Sequence, residues 1–202
     1  TAVNENGEVV YDQPGELISR VPFPSMPLEF WQDEQQQRYR AAYFSHLPGV
    51  WWHGDMLTVT RSGGMIVHGR SDATLNPGGV RIGSADIYRP LEQIPEVLDA
   101  AAVGKKTEDG DEEIWLLVVL QKGLTLDEEL QTKIKTVIRA AASPRHVPRR
   151  MIAVAQLPRT RSGKTTELAV GDIVNGRTVN NRAVMANPEA LDEIAAAIKT
   201  EC

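Results

Sequence analysis

Residues 69 to 83 read GRSDATLNPGGVRIG, and no regular element accommodates that stretch. Its four glycines and one proline keep it out of a helix or a central strand. Glycine gives up the most backbone freedom on ordering, and proline has no N–H to donate. An alternating segment, MIVHGR at 65–70, runs into it, and a helix pattern starts just beyond it at Ser84. The chain is therefore expected to fold as two pieces, with this glycine-rich segment as the joint.

The piece before the joint reads as β. Residues 8–20 suggest two short strands around Gln13-Pro14-Gly15, VPFPSMP at 21–27 is extended loop, and MLTVT at 56–60 forms a hairpin with MIVHGR around Arg61–Gly64. The piece after the joint mixes helix and strand. Ile87, Leu91 and Ile94 mark a helix face that Pro90 should bend, and residues 105–113 form a charged turn ahead of a buried strand, IWLLVVL at 114–120. Thr125 and Glu128 suit a capping box for a helix with Leu130, Ile134, Val137 and Ile138 on one face, ended by Ser143-Pro144. MIAVA at 151–155 is a further strand and LPRTRSGK at 157–164 a basic loop. Asn187, with Pro188 behind it, is expected to cap a last helix carrying Leu191, Ile194 and Ile198. The expected fold class is α+β: a small C-terminal domain, 72–202, with a short sheet flanked by helices, preceded by a β-rich piece, 1–71.

Composition narrows the function classes. With 42% hydrophobic and 24% charged residues the chain is globular rather than disordered. A net charge of −5 argues against a nucleic-acid or anionic-membrane partner for the chain as a whole, so any cation site must be local. The seven-residue run at 114–120 is far short of the roughly 20 apolar residues a membrane span needs. The single cysteine, Cys202, leaves no partner for an internal disulfide or a thiolate metal cluster and fits a reducing compartment, so a cytoplasmic location is expected. The opening, TAVNENGEVV, starts inside a β-type pattern without methionine or cap and reads as cut from a longer protein.

Three clusters can carry chemistry. In WWHGD, 51–55, an aspartate on a glycine turn offers two acceptor oxygens suited to adjacent hydroxyls such as those of a ribose, although a turn aspartate bonding its own backbone has the same signature. His53 beside it is a weaker candidate base. In the joint, Arg70 and Arg81 can grip phosphate or carboxylate with parallel donors, Gly78 and Gly79 leave the backbone open to a ligand, and Asp72 stands where a change at one residue would swing everything downstream. From Arg139 to Lys164 there are seven arginines and lysines and no acid, a cluster suited to phosphates or, more simply, to a solvated basic face. An RNA-binding role for it is disfavoured by the negative total charge and the lack of interleaved aromatics. Gly163-Lys164-Thr165 lacks the earlier glycine of a phosphate-cradling P-loop.

Taken together, GELI at 15–18, WWHGD at 51–55, GRSDATLNPGGVRIG at 69–83 and PRTRSGK at 158–164 resemble, in order and spacing, the adenylate-forming superfamily of acyl-CoA synthetases, adenylation domains and luciferases. Within it, PFPSMPLEFW at 22–31, Asn76 where many relatives carry lysine, and the tail ELAVGDIVNG resemble the branch that activates acetoacetate, with the acetyl- and propionyl-activating branch as a near competitor. The resemblance implies a two-step reaction. A carboxylate, acetoacetate or another short acyl acid, attacks the α-phosphate of ATP, and CoA thiol then displaces AMP from the acyl-adenylate. It further implies that Asp55 holds the ribose hydroxyls, Arg70 supports the same nucleotide, and Arg81 contacts phosphate. Lys164 would bridge acyl carboxylate and nucleotide in the first step, Gly79 would line the pantetheine tunnel in the second, Arg139 would meet a CoA phosphate, and Asp72 would be the hinge. No metal ligand is implied in this chain. In the family, Mg²⁺, the phosphate loop and the acyl pocket belong to the part of the polypeptide N-terminal to Thr1. That part is the expected partner, and the present residues alone are expected to be inactive. A non-catalytic nucleotide- or CoA-binding module is the alternative.

Overall fold

The computed structural model describes residues 1–179 and 182–201; Cys202 lies outside them. The chain divides into two compact units, Thr1–Asp72 and Ala73–Cys202.

The first unit is an antiparallel sheet in the order β1 (Ala2–Val3), β2 (Pro14–Ser19), β3 (Trp51–Val59), β4 (Met65–Arg70). Its apolar interior is small: Ala2, Val10 and Leu57 make one cluster, and Val3, Ile18 and Val50 another. Aromatic packing supplements it. Helix α1 (Gln37–Tyr43) sets Tyr39 and Tyr43 four residues apart on one face, and the Tyr43 ring stacks on Trp51 with centroids 3.8 Å apart. The β3–β4 hairpin stands as expected from the sequence. The first expected pair does not: residues 8–12 form no strand, only an isolated bridge from Val9 to Val3, while Pro14 itself opens β2.

The second unit is built around β6 (Glu112–Leu120), the middle strand of a sheet ordered β5 (Val97–Lys106), β6, β7 (Arg150–Ala153). The apolar run of β6 is explained by burial on both faces, as befits a strand covered on two sides. Ile114, Leu116 and Val118 point into a core completed by α2 (Ala85–Leu91) and α3 (Glu128–Ala141), which contribute Ile87, Leu91, Leu130, Ile134 and Ile138. Trp115 and Leu117, of opposite parity, meet Val170 and Val174 of α4 (Glu167–Val174) and Ile194 of α5 (Ala190–Glu201). The fold is α+β.

Two capping expectations are corrected. The N-cap of α3 is Asp127, whose side chain accepts from the Leu130 amide at 2.9 Å, rather than Thr125; aspartate two residues later closes the same turn. Asn187 does not cap α5. Its side chain instead accepts from the Arg159 amide at 2.8 Å and donates to Gln156 Oε1 and the Leu157 carbonyl at 2.9 and 3.0 Å, and the helix begins at Ala190. Strand β5 and helix α4 were not expected from the sequence.

Candidate functional site

In the first unit, a bulge in the β3–β4 pairing between Met56 and Leu57 leaves Asp55 opposite Arg70. Asp55 Oδ2 lies 2.8 Å from His53 Nδ1, and Oδ1 lies 3.7 Å from Arg70 Nη1. Arg70 in turn donates from Nε and Nη2 to the two oxygens of Asp72, at 3.2 and 3.1 Å. The bonds to Asp72, with its charge and that of Asp55, outweigh partial burial and hold the Arg70 guanidinium even more firmly charged than usual. Gly54, between His53 and Asp55, has φ +82°, and a Cβ there would stand 3.2 Å from Arg70 Nη2, so the guanidinium lies directly against the backbone. One anchor was missed by sequence reasoning. Glu16 of GELI, 6% exposed, accepts from the Ser71 hydroxyl and so fastens β2 to the residue next to Asp72. A glutamate on an alternating strand gives no local sign of such a long-range partner.

In the second unit the glycine-rich segment is not slack. Leu75 and Ile82 exchange backbone hydrogen bonds at 2.9 and 2.8 Å and are both buried. Between them Gly78 and Gly79 adopt φ +58° and +76° in a single tight turn with open space around both. That turn is tied to the β5–β6 connection: Asn76 N donates to Glu112 Oε1 at 2.7 Å and Gly78 N to Asp111 Oδ1 at 2.8 Å. The charged turn expected at 105–113 thus has a definite task. Arg81 is exposed on the same segment.

Lys164 sits on a separate turn. Thr160 N donates to the Lys164 carbonyl at 2.8 Å, Gly163 N to the Thr160 carbonyl at 2.8 Å, and Lys164 N to Thr160 Oγ1 at 3.1 Å, with Gly163 at φ +84°. The Lys164 side chain is exposed, and its ammonium has no hydrogen-bond or ion-pair partner among the described residues. The base of this turn is anchored by Arg159, which donates to the Gly163 carbonyl at 2.6 Å and pairs with Asp99 at the start of β5. Arg139, in the last turn of α3, is exposed and belongs to neither the glycine turn nor the lysine turn.

The glycine turn and the lysine turn are therefore attached to opposite ends of one hairpin. Asp99 pairs with Val119, and Glu112 pairs with Lys106, seven residues along β5. At about 3.3 Å per residue the two attachment points stand roughly 23 Å apart.

No group of three or more histidine, cysteine or acidic residues suited to a metal ion occurs among the described residues. No described helix is long and apolar enough to cross a membrane.

The chain is similar to known proteins. Residues 91–164, ending on Lys164, match the family model described as AMP-binding enzyme C-terminal domain. Over 192 residues, 95% of the chain, the sequence is 53% identical to the acetoacetyl-coenzyme A synthetase of Rhizobium meliloti (strain 1021) and 43% identical to that of Mus musculus. In each case the chain spans 29% of the relative's length. The structure superposes along its whole length on 30% of acetoacetyl-CoA synthetase from Streptomyces lividans, with a TM-score of 0.90 and 37% identity.

Proposed function

We propose, from a chain that in sequence and fold is similar to the C-terminal part of an acetoacetyl-CoA synthetase of the adenylate-forming superfamily, that it is the mobile domain of an AMP-forming acid–thiol ligase together with the end of the larger domain. The parent reaction joins acetoacetate to CoA with cleavage of ATP to AMP and pyrophosphate. The observation that carries this reading is the Lys164 turn: a long cation, exposed and without a partner among the described residues, on a hydrogen-bonded loop where the adenylate-forming resemblance calls for a lysine.

In the first half-reaction Lys164 reaches both the acyl carboxylate and the α-phosphate and offsets the charge that develops as they approach. One well-placed donor of this kind contributes about 10²–10³ in rate. Asp55 accepts from the ribose hydroxyls, and Arg70, pinned between two carboxylates, orients Asp55 and supports the nucleotide. Arg81 contacts phosphate. In the second half-reaction the Gly78–Gly79 turn comes to the cleft, and its lack of side chains leaves a passage for the pantetheine arm. Arg139 meets a CoA phosphate.

Asp72 is the hinge, a role supported by its place at the end of the first compact unit. The roughly 23 Å between the attachment points of the two turns supports alternation, because bringing one end of a rigid hairpin to a cleft carries the other away. ATP, CoA and the acid are substrates of the whole ligase, and Mg²⁺ accompanies ATP on residues outside this chain.

The deciding experiment separates the half-reactions in the complete ligase. Lys164→Ala should slow acetoacetate-dependent ATP–pyrophosphate exchange by about 10²-fold or more while leaving thioester formation from supplied acetoacetyl-adenylate close to normal. Equal losses in both would remove the role given to Lys164.

A further inference from the structure

We propose that Arg159 is a positioning residue for Lys164 and that Asp99 holds it in that role. This rests on the adenylation role given to Lys164 above.

The Arg159 side chain joins two things that the backbone does not. Nη1 donates to the Gly163 carbonyl at 2.6 Å, and Nη2 donates to the Asp99 carboxylate on β5. Its own backbone is fixed as well, since its amide donates to Asn187 Oδ1 at 2.8 Å and its carbonyl accepts from Ala186 N at 2.9 Å. Gly163 has φ +84° with nothing within 4 Å of where a Cβ would be, so hydrogen bonds rather than packing set the peptide plane between Gly163 and Lys164, whose N–H donates to Thr160 Oγ1 at 3.1 Å. The carbonyl of that plane is the atom Arg159 holds. Rotating it would re-aim the backbone from which the Lys164 side chain extends, and a long ammonium reaching into a cleft would miss by a large part of that displacement.

Two magnitudes separate positioning from plain stability. The Arg159 and Asp99 side chains are 42% and 26% exposed, and an ion pair of that exposure contributes little to folding. Misplacing a reacting group by about 1 Å can cost about 10²-fold in rate. Loss of the brace should therefore register in catalysis before it registers in unfolding. Lysine cannot replace the arginine, because a compact ammonium lacks the planar fork that bonds a carbonyl and a carboxylate together.

The test uses the complete ligase with Asp99→Asn, Arg159→Lys and the double variant. Each single change should lower kcat for ATP–pyrophosphate exchange by about 10-fold or more with little change in KM for ATP, and should spare thioester formation from supplied acyl-adenylate. The double variant should be no worse than the poorer single, as expected for two residues acting as one brace. Amide hydrogen exchange at Lys164 should quicken in all three while the urea midpoint stays put. Wild-type exchange rates in the variants, with Lys164→Ala defective, would overturn the brace and leave the function of Lys164 standing. Equal loss of both half-reactions, or a lowered urea midpoint that accounts for the loss, would also overturn it. Intact adenylation in Lys164→Ala would overturn both readings together.

Discussion

The Arg70 guanidinium holds the Asp72 carboxylate through two bonds of 3.2 and 3.1 Å. Because the same guanidinium lies 3.7 Å from Asp55, the residue read as the ribose acceptor and the residue read as the hinge share one arginine. On the roles proposed above, nucleotide binding and movement of the joint would be coupled through a single side chain.

Asp55→Asn should raise the KM for ATP about 10-fold or more in the complete ligase, the scale of a lost hydrogen bond to a charged group. Its side chain is 25% exposed, so the fold should survive, with an unchanged circular dichroism spectrum. An unaltered KM for ATP would take Asp55 out of the nucleotide site.

Asp72→Pro fixes φ at the proposed hinge and removes the Arg70 partner at once. Stopped-flow measurement of each half-reaction should show one impaired far more than the other. Asp72→Asn separates the two effects, since it weakens the grip on Arg70 without fixing the backbone, and it should impair that step less.

Tyr88 gives an alkaline signature. Its hydroxyl accepts from Ala102 N at 2.9 Å and donates to Glu167. Burial first, and then the Glu167 charge, raise its pKa well above the ordinary value of 10.0. A phenol that keeps its proton longer when folded contributes stability fully below about pH 10, and loses it as pH rises through the higher folded value. Melting temperature should fall above about pH 10 in the native chain and fall less steeply in Tyr88→Phe.

Core and cap should rank clearly in the second unit. Ile134, fully buried in α3, should cost about 2–5 kcal/mol when changed to alanine, whereas Asp127→Ala should cost about 1 kcal/mol. Urea unfolding followed by the fluorescence of Trp115, which lies in that unit, reads both.

The α+β class was legible in the sequence, but some of its elements were not. Strand β6 was legible because seven apolar residues in a row need cover on both sides, and α3 because its apolar residues fall on one face. Strand β5 escaped because its centre is alanine and glycine, AAAVG, residues with weak strand preference whose place is dictated by pairing along all of β6. Helix α4 escaped because Gly171 interrupts it; Val170 and Val174 hold it against the core in spite of a glycine cost of about 1 kcal/mol. The motifs around Asp55, Arg70, Gly79 and Lys164 were visible as local strings. Their supports, Glu16, Asp99, Asp111 and Glu112, are distant in sequence and come into place only on folding.

The β5–β6 ribbon also limits what evolution or an engineer can alter. Adding one residue to each strand would turn every side chain beyond it to the wrong face and exchange the contents of the two cores. Adding two would restore the faces but stretch the ribbon by about 7 Å, so that a swing able to seat one tip would overshoot with the other. On the alternation proposed above, its length would work as a gauge for the stroke of the second unit, and tolerated changes should gather in the loops beyond its ends.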